Sequence, residues 1–125
     1  QMCIRDRRKR AAIARALALD PPILFLDEPS AGLDPITAAE PDRLIERLNE
    51  ALSTTFVIVS HELPSVFAIA DRVLMLDRTC RGILDAGSPE ALRDRSPHES
   101  VRRFFAREPA GVLAAHGHET QTRTA

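Results

Sequence analysis

Ile23-Leu24-Phe25-Leu26-Asp27-Glu28-Pro29-Ser30-Ala31-Gly32-Leu33-Asp34-Pro35 is the stretch on which the fold of this chain turns. It opens with four consecutive apolar residues and then sets down two carboxylates. A short apolar run of this kind suits a strand buried on both faces, as in a parallel sheet. Carboxylates that follow such a strand emerge at its C-terminal edge, where open α/β sheets bind their ligands. Residues 29–35 read as a loop, with Asp34 as a helix N-cap and Pro35 as the first helical position.

The flanking sequence extends the same alternation. Upstream, residues 11–19 are rich in Ala, Leu and Arg and favour helix, which Asp20-Pro21-Pro22 ends. Downstream, the helix entered at Pro35 runs to about Leu52 with Leu44, Ile45 and Leu48 on one face. Pro41 lies inside it and is expected to kink it, at about 3 kcal/mol in an unadapted helix. Thr55 to Val59 is a β-branched run and the next strand, with Ser60, His61 and Glu62 at its C-terminal end. A helix follows over residues 63–70, where Pro64 is tolerable in the first turn. Residues 73–76 form a third strand, and Ile83 and Leu84 a short one before Gly87. Ser88-Pro89 opens a helix through Leu92, and Ser96-Pro97-His98-Glu99 reads as a capping box before a helix over residues 101–105. Strands alternating with helices give an α/β class, a mostly parallel sheet with flanking helices.

Composition bounds the function. The chain has 125 residues, 44 % hydrophobic and 28 % charged, with a formal net charge of −1, so no global field points to nucleic acid or to a membrane. No stretch is long enough to span a bilayer and no signal peptide is seen, so cytosolic residence is expected. Cys3 and Cys80 lack metal-ligand spacing and read as free thiols. Beyond Gly111 the chain is small and polar, and residues 110–125 are expected to be a disordered tail. His116 and His118 within it are a weak metal motif.

The chemistry rests on Asp27 and Glu28. One carboxylate can hold Mg²⁺, largely through water, and the next can orient and polarise an attacking water. Taken alone, an apolar strand ending in Asp-Glu is more often a strand running into a solvated turn. Context changes that: Pro29-Ser30-Ala31-Gly32-Leu33-Asp34 follows at once, and His61 ends the next strand. In this order and spacing the series resembles the ABC ATPases, with Walker B, catalytic glutamate, D-loop and switch histidine in turn. The resemblance implies ATP and Mg²⁺ as cofactors, Asp27 helping to hold the metal, Glu28 as general base and His61 reaching the γ-phosphate. It places residues 30–34, with Ser30 and Asp34 as nucleotide-site residues, at a dimer interface. It covers residues 8–109, expected to be the C-terminal part of the domain.

Arg8-Lys9-Arg10-Ala11-Ala12-Ile13-Ala14-Arg15-Ala16-Leu17 resembles the helix after the ABC signature. Together with Ser60-His61-Glu62-Leu63, Phe67-Ala68-Ile69-Ala70-Asp71-Arg72 and Arg107-Glu108-Pro109, it narrows the resemblance to the ATPases of the maintenance-of-lipid-asymmetry transporters. That resemblance implies a second ATPase subunit, a membrane permease and a lipid-transfer component as partners, a place on the cytoplasmic face of the membrane, and no nucleic acid. An importer ATPase for another small substrate and a chromosome-maintenance ATPase are the alternatives. The D-loop wording and the absence of coiled-coil heptads disfavour the second.

The pattern breaks at the N-terminus. Cys3-Ile4-Arg5-Asp6 stands where the family has Leu-Ser-Gly-Gly, a motif that uses helix-terminal N–H groups to hold phosphate. Met2-Cys3-Ile4-Arg5-Asp6 resembles a translated sequencing adapter, so residues 1–7 are expected to be non-native. None of the five glycines sits in a G-x-x-x-x-G-K-[ST] loop, and the segment by itself is expected to be inactive. In the fold it resembles, the phosphate-loop strand lies between the strand at Thr55 to Val59 and that at residues 73–76, so a slot is expected there.

Overall fold

The computed structural model describes residues 2–107. Helix α1 (Met2–Leu17) leads into strand β1 (Ile23–Asp27), helix α2 (Pro35–Ala51), strand β2 (Thr55–Val59) and helix α3 (Leu63–Ile69). Strands β3 (Val73–Asp77) and β4 (Gly82–Gly87) follow, then helices α4 (Pro89–Arg95) and α5 (Glu99–Phe105). The expected tail, residues 110–125 with its two histidines, lies outside the described residues.

Helix α1 starts well before the expected residue 11, because the Arg- and Lys-rich turns ahead of it are themselves good helix formers. Arg10 also pairs with Asp6 one turn back at 3.2 Å. The helix stops short of Leu19. Asp20 adopts a left-handed backbone, φ 49°, and donates its N–H to the Leu17 carbonyl at 2.9 Å. Helix α2 starts as expected, with Asp34 as N-cap, and runs through Pro41 to Ala51.

The strands form two sheets of two strands each, β1–β2 parallel and β3–β4 antiparallel. The α/β class expected from the sequence holds, with parallel pairing in β1–β2 and antiparallel pairing in β3–β4. Residues 78–81 between β3 and β4 are too few for a crossover, so those strands must return as a hairpin. Asp77 caps that turn, accepting from the N–H groups of Thr79 at 2.8 Å and Cys80 at 3.3 Å. The Cys80 thiol is free and exposed, as expected.

The register of β1 on β2 runs from Ile23↔Thr55 to Asp27↔Val59. It is set where the strands begin: the Thr54 hydroxyl donates to the Pro21 carbonyl at 2.9 Å, and the Thr55 N–H to that of Pro22 at 2.9 Å. Among the described residues β2 pairs with β1 alone and β3 with β4 alone. The unpaired edges of β2 and β3 are where the slot was expected.

The expected burial of β1 on both faces is also corrected. Leu24 is buried, but Phe25 is 73 % exposed, and Ile23, Val57 and Val59 share its open side. Among the described residues no layer covers that face, so side chains that alternate along the strands are split between a covered and a bare side. The main core lies at the other end of the chain, where Leu92, Val101 and Phe105 are buried against Val66, Phe67 and Met75. Phe105 meets Phe67 and Phe104 edge-on, at centroid distances of 6.0 and 5.3 Å.

The capping box expected before α5 does not form. His98, not Ser96, is the N-cap, and its side chain makes no capping bond. Ser96 stands two residues too early, so its hydroxyl accepts the N–H of His98 itself at 3.2 Å and donates to Asp85. Helix α4 opens at Ser88-Pro89 as expected, with the Ser88 hydroxyl accepting from Ala91 N–H at 3.2 Å, and runs past Leu92 to Arg95.

Candidate active site

Parallel pairing puts the C-terminal ends of β1 and β2 at one edge. Asp27-Glu28 and Ser60-His61 therefore come side by side although far apart in the chain. The ladder extends one residue past β1, since Glu28 N–H donates to the Val59 carbonyl at 2.8 Å. At Glu28 the backbone turns left-handed, φ 48°, a conformation uncommon outside glycine and one that its surroundings must enforce. The chain leaves the sheet there, and Ala31 N–H closes the turn on the Glu28 carbonyl at 3.2 Å.

His61 meets Glu28 at that edge, Nδ1 to Oε1, at 2.6 Å. With Nδ1 facing a carboxylate, the proton sits on Nδ1, which donates to Glu28. The imidazole pKa is raised above 6.5, first by that hydrogen bond and then by the Glu28 charge, with Glu62 adding to it and desolvation opposing. Glu62 Oε1 lies 3.7 Å from the other ring nitrogen. The second Glu28 oxygen, Oε2, is buried and has no hydrogen-bond partner among the described residues, which leaves an acceptor poised for a proton-bearing ligand.

Asp27 is exposed at the end of β1, and among the described residues no group of three or more potential ligands is gathered for a metal. A lone carboxylate at a sheet edge fits Mg²⁺, which keeps much of its water and takes phosphate oxygens for the rest. It does not fit a metal held wholly by protein.

The other two predicted site residues are engaged within the fold. Ser30, 3 % exposed, donates to Asp42 Oδ1 at 2.8 Å and accepts from the Ser65 hydroxyl at 3.3 Å. Asp34 accepts from the N–H groups of Ile36 at 3.1 Å and Thr37 at 3.0 Å and from the Thr37 hydroxyl at 2.6 Å. These bonds, the Thr37 hydroxyl first, hold its carboxyl below the usual 3.8. The structure thus brings Glu28 and His61 into contact with Asp27 adjacent in the chain, while Ser30 and Asp34 fix the loop behind them.

Sequence reasoning passed over Lys9, Asp42 and Ser65. Lys9 Nζ donates to the Ala31 carbonyl at 2.6 Å, although a basic helix start reads as a solvated face. Asp42 follows the helix-internal Pro41 and carries no motif. Their roles come from tertiary contact, for which the chain offers no local signal.

No protein-family model matches the chain. It is similar to the intermembrane phospholipid transport system ATP-binding protein MlaF of Escherichia coli (strain K12), 45 % identical over 97 residues, which is 78 % of this chain and 35 % of that protein. MlaF of Haemophilus influenzae is 52 % identical over 63 residues, covering 50 % of this chain and 24 % of that protein. The glycine betaine uptake system ATP-binding protein YehX of Escherichia coli (strain K12) is 32 % identical over 106 residues, 85 % of this chain and 34 % of that protein. The chain spans about a third of the length of the curated relatives it matches over most of its own length. Its homologues are ABC-transporter ATP-binding subunits, and the chain corresponds to a part of one, as the C-terminal fragment of an ABC ATPase would.

Proposed function

We propose that this segment, residues 8–109, supplies the hydrolysis-side residues of an ABC ATP-binding subunit whose ATP turnover drives phospholipid transport, and that residues 1–7 are foreign to it. The observation that carries the reading is the 2.6 Å contact of Glu28 with His61 at the C-terminal edge of two parallel strands. Glu28 acts as general base on the water that attacks the γ-phosphate, a role that needs a carboxylate within hydrogen-bond reach of that water. His61, kept protonated by Glu28 and Glu62 to higher pH than an ordinary histidine, presents positive charge at the edge where the γ-phosphate arrives. Asp27 would hold Mg²⁺, which when bound neutralises charge on the phosphates. The partners under this reading are a second ATPase subunit, a membrane permease and a lipid-transfer component, with the subunit on the cytoplasmic face of the membrane.

The lipid is favoured over other cargo by the higher identity to MlaF, 45 % against 32 % for YehX. The second reading is an importer ATPase for a small solute, which the similarity to YehX supports. A pair of chimeras separates them, with residues 8–107 replacing the matching segment of MlaF or of YehX. Phospholipid transport sustained in the MlaF frame, without betaine uptake in the YehX frame, is the expected result. The reverse pattern from two folded, ATP-hydrolysing chimeras contradicts the lipid reading.

A further inference from the structure

Side chains from α1, α2 and α3 reach into the turn after Glu28. From α1, Lys9 donates to the Ala31 carbonyl at 2.6 Å. From α3, Ser65 donates to the Ser30 hydroxyl at 3.3 Å, and Ser30 in turn donates a hydrogen bond to Asp42 Oδ1 on α2 at 2.8 Å. Ser30, Asp42 and Ser65 are each buried, at 3, 7 and 6 % exposure. Among the described residues the hydrogen bond from Ser30 is the one that Asp42 receives from another side chain, and no cation pairs with it. A carboxylate placed in such a setting is costly unless bound, and this one has no part in the Glu28–His61 contact. A hydroxyl has one hydrogen bond to donate. Ser30 donates it to Asp42 and so can face only one way, which fixes the residue two positions after Glu28.

That turn needs fixing. Glu28 holds φ 48° without being glycine, and a left-handed non-glycine residue persists only where its neighbours over-determine it. We propose that Asp42 is a positioning residue: acting through the Ser30 hydroxyl, it holds the turn of residues 28–32 in the left-handed form that sets the Glu28 carboxylate against His61. The catalytic meaning of this rests on the reading of Glu28 as the general base; the geometry does not.

The test is NMR of the isotopically labelled 125-residue chain, in solution or by magic-angle spinning where the chain assembles. The Glu28 backbone carbon shifts report its left-handed conformation, and contacts between the Glu28 side chain and the His61 ring report the pair. In Asp42→Ala both signatures are lost, while Asp42→Asn, which keeps an acceptor for Ser30, retains them. Ser30→Ala, which removes the relay and leaves Asp42 in place, also loses them and serves where Asp42→Ala does not fold. Left-handed shifts and intact His61 contacts in a folded Asp42→Ala or Ser30→Ala chain overturn the proposal, whatever happens to the melting temperature. The outcome is separate from the catalytic reading, which the turnover of Glu28→Gln decides.

Discussion

Glu28 Oε1 and His61 Nδ1, from residues 33 apart in the chain, lie 2.6 Å apart just beyond the ends of two paired strands. The pair makes a statement about pH. The folded-state pKa of His61 is raised above 6.5 by the hydrogen bond to Glu28 and by its charge. Protons therefore bind the folded chain more tightly than the unfolded one, and the stabilisation is fully present below the unfolded value of 6.5. It is lost as pH rises through the higher folded pKa. An NMR titration is expected to place the His61 midpoint above 6.5 and to bring it down in Glu28→Gln. Identical midpoints in the two chains would remove the pair from the account.

The edges of β2 and β3 predict poor solubility. Neighbouring strands sit roughly 4.8 Å apart, so a slot one strand wide leaves flanking strands about 10 Å apart, each with unpaired N–H and C=O groups. The bare face beside it carries Phe25, Ile23, Val57 and Val59. Concentration-dependent assembly is expected, with weak amide protection along β3 and on the side of β2 turned from β1. A monodisperse, cooperatively melting monomer with uniform protection of both strands, not paired to each other, contradicts this.

The two ends of the molecule should respond unequally to loss of an aromatic ring. Phe105 is 1 % exposed between two other rings, so Phe105→Ala is expected to cost about 3–5 kcal/mol. Phe25, 73 % exposed, should tolerate Phe25→Ser within about 0.5 kcal/mol while the chain becomes more soluble. Denaturant melts of both variants check this. An equal loss in the two would mean that the β1–β2 face is covered.

The chain taken alone is expected to bind no nucleotide at micromolar concentration. Phosphate binding in this class of site uses a glycine-rich backbone cradle and a lysine, and none of the five glycines sits in such a loop. Asp27 and Glu28 without it present negative charge to a polyanion. Calorimetry with MgATP should show no saturable heat. Saturable micromolar binding that disappears in His61→Ala would show a phosphate site in this segment.

The elements and the Glu28–His61 edge were legible because they depend on local signals. Apolar runs closed by Asp27 and by Ser60, the Asp34-Pro35 cap and the order of the motifs need no knowledge of packing. What escaped depends on what lies above and beside each element. An apolar run such as Ile23 to Leu26 does not say whether a layer covers Phe25. Strand direction at β3–β4 follows from the short turn at residues 78–81 rather than from strand composition. Ser96 has the capping residue type but stands two residues ahead of the N-cap position of α5. The Asp42–Ser30–Ser65 relay joins three helical and loop segments, so no window along the chain contains it.

The central claim is that Glu28 is the base and not merely a partner of His61. Its most direct test is ATP turnover by the MlaF chimera carrying residues 8–107, with and without Glu28→Gln. The account predicts that the variant still binds ATP but loses turnover by about 10²–10⁴-fold, the usual contribution of a positioned general base. Turnover at the parent chimera's rate, with ATP binding intact, would contradict it.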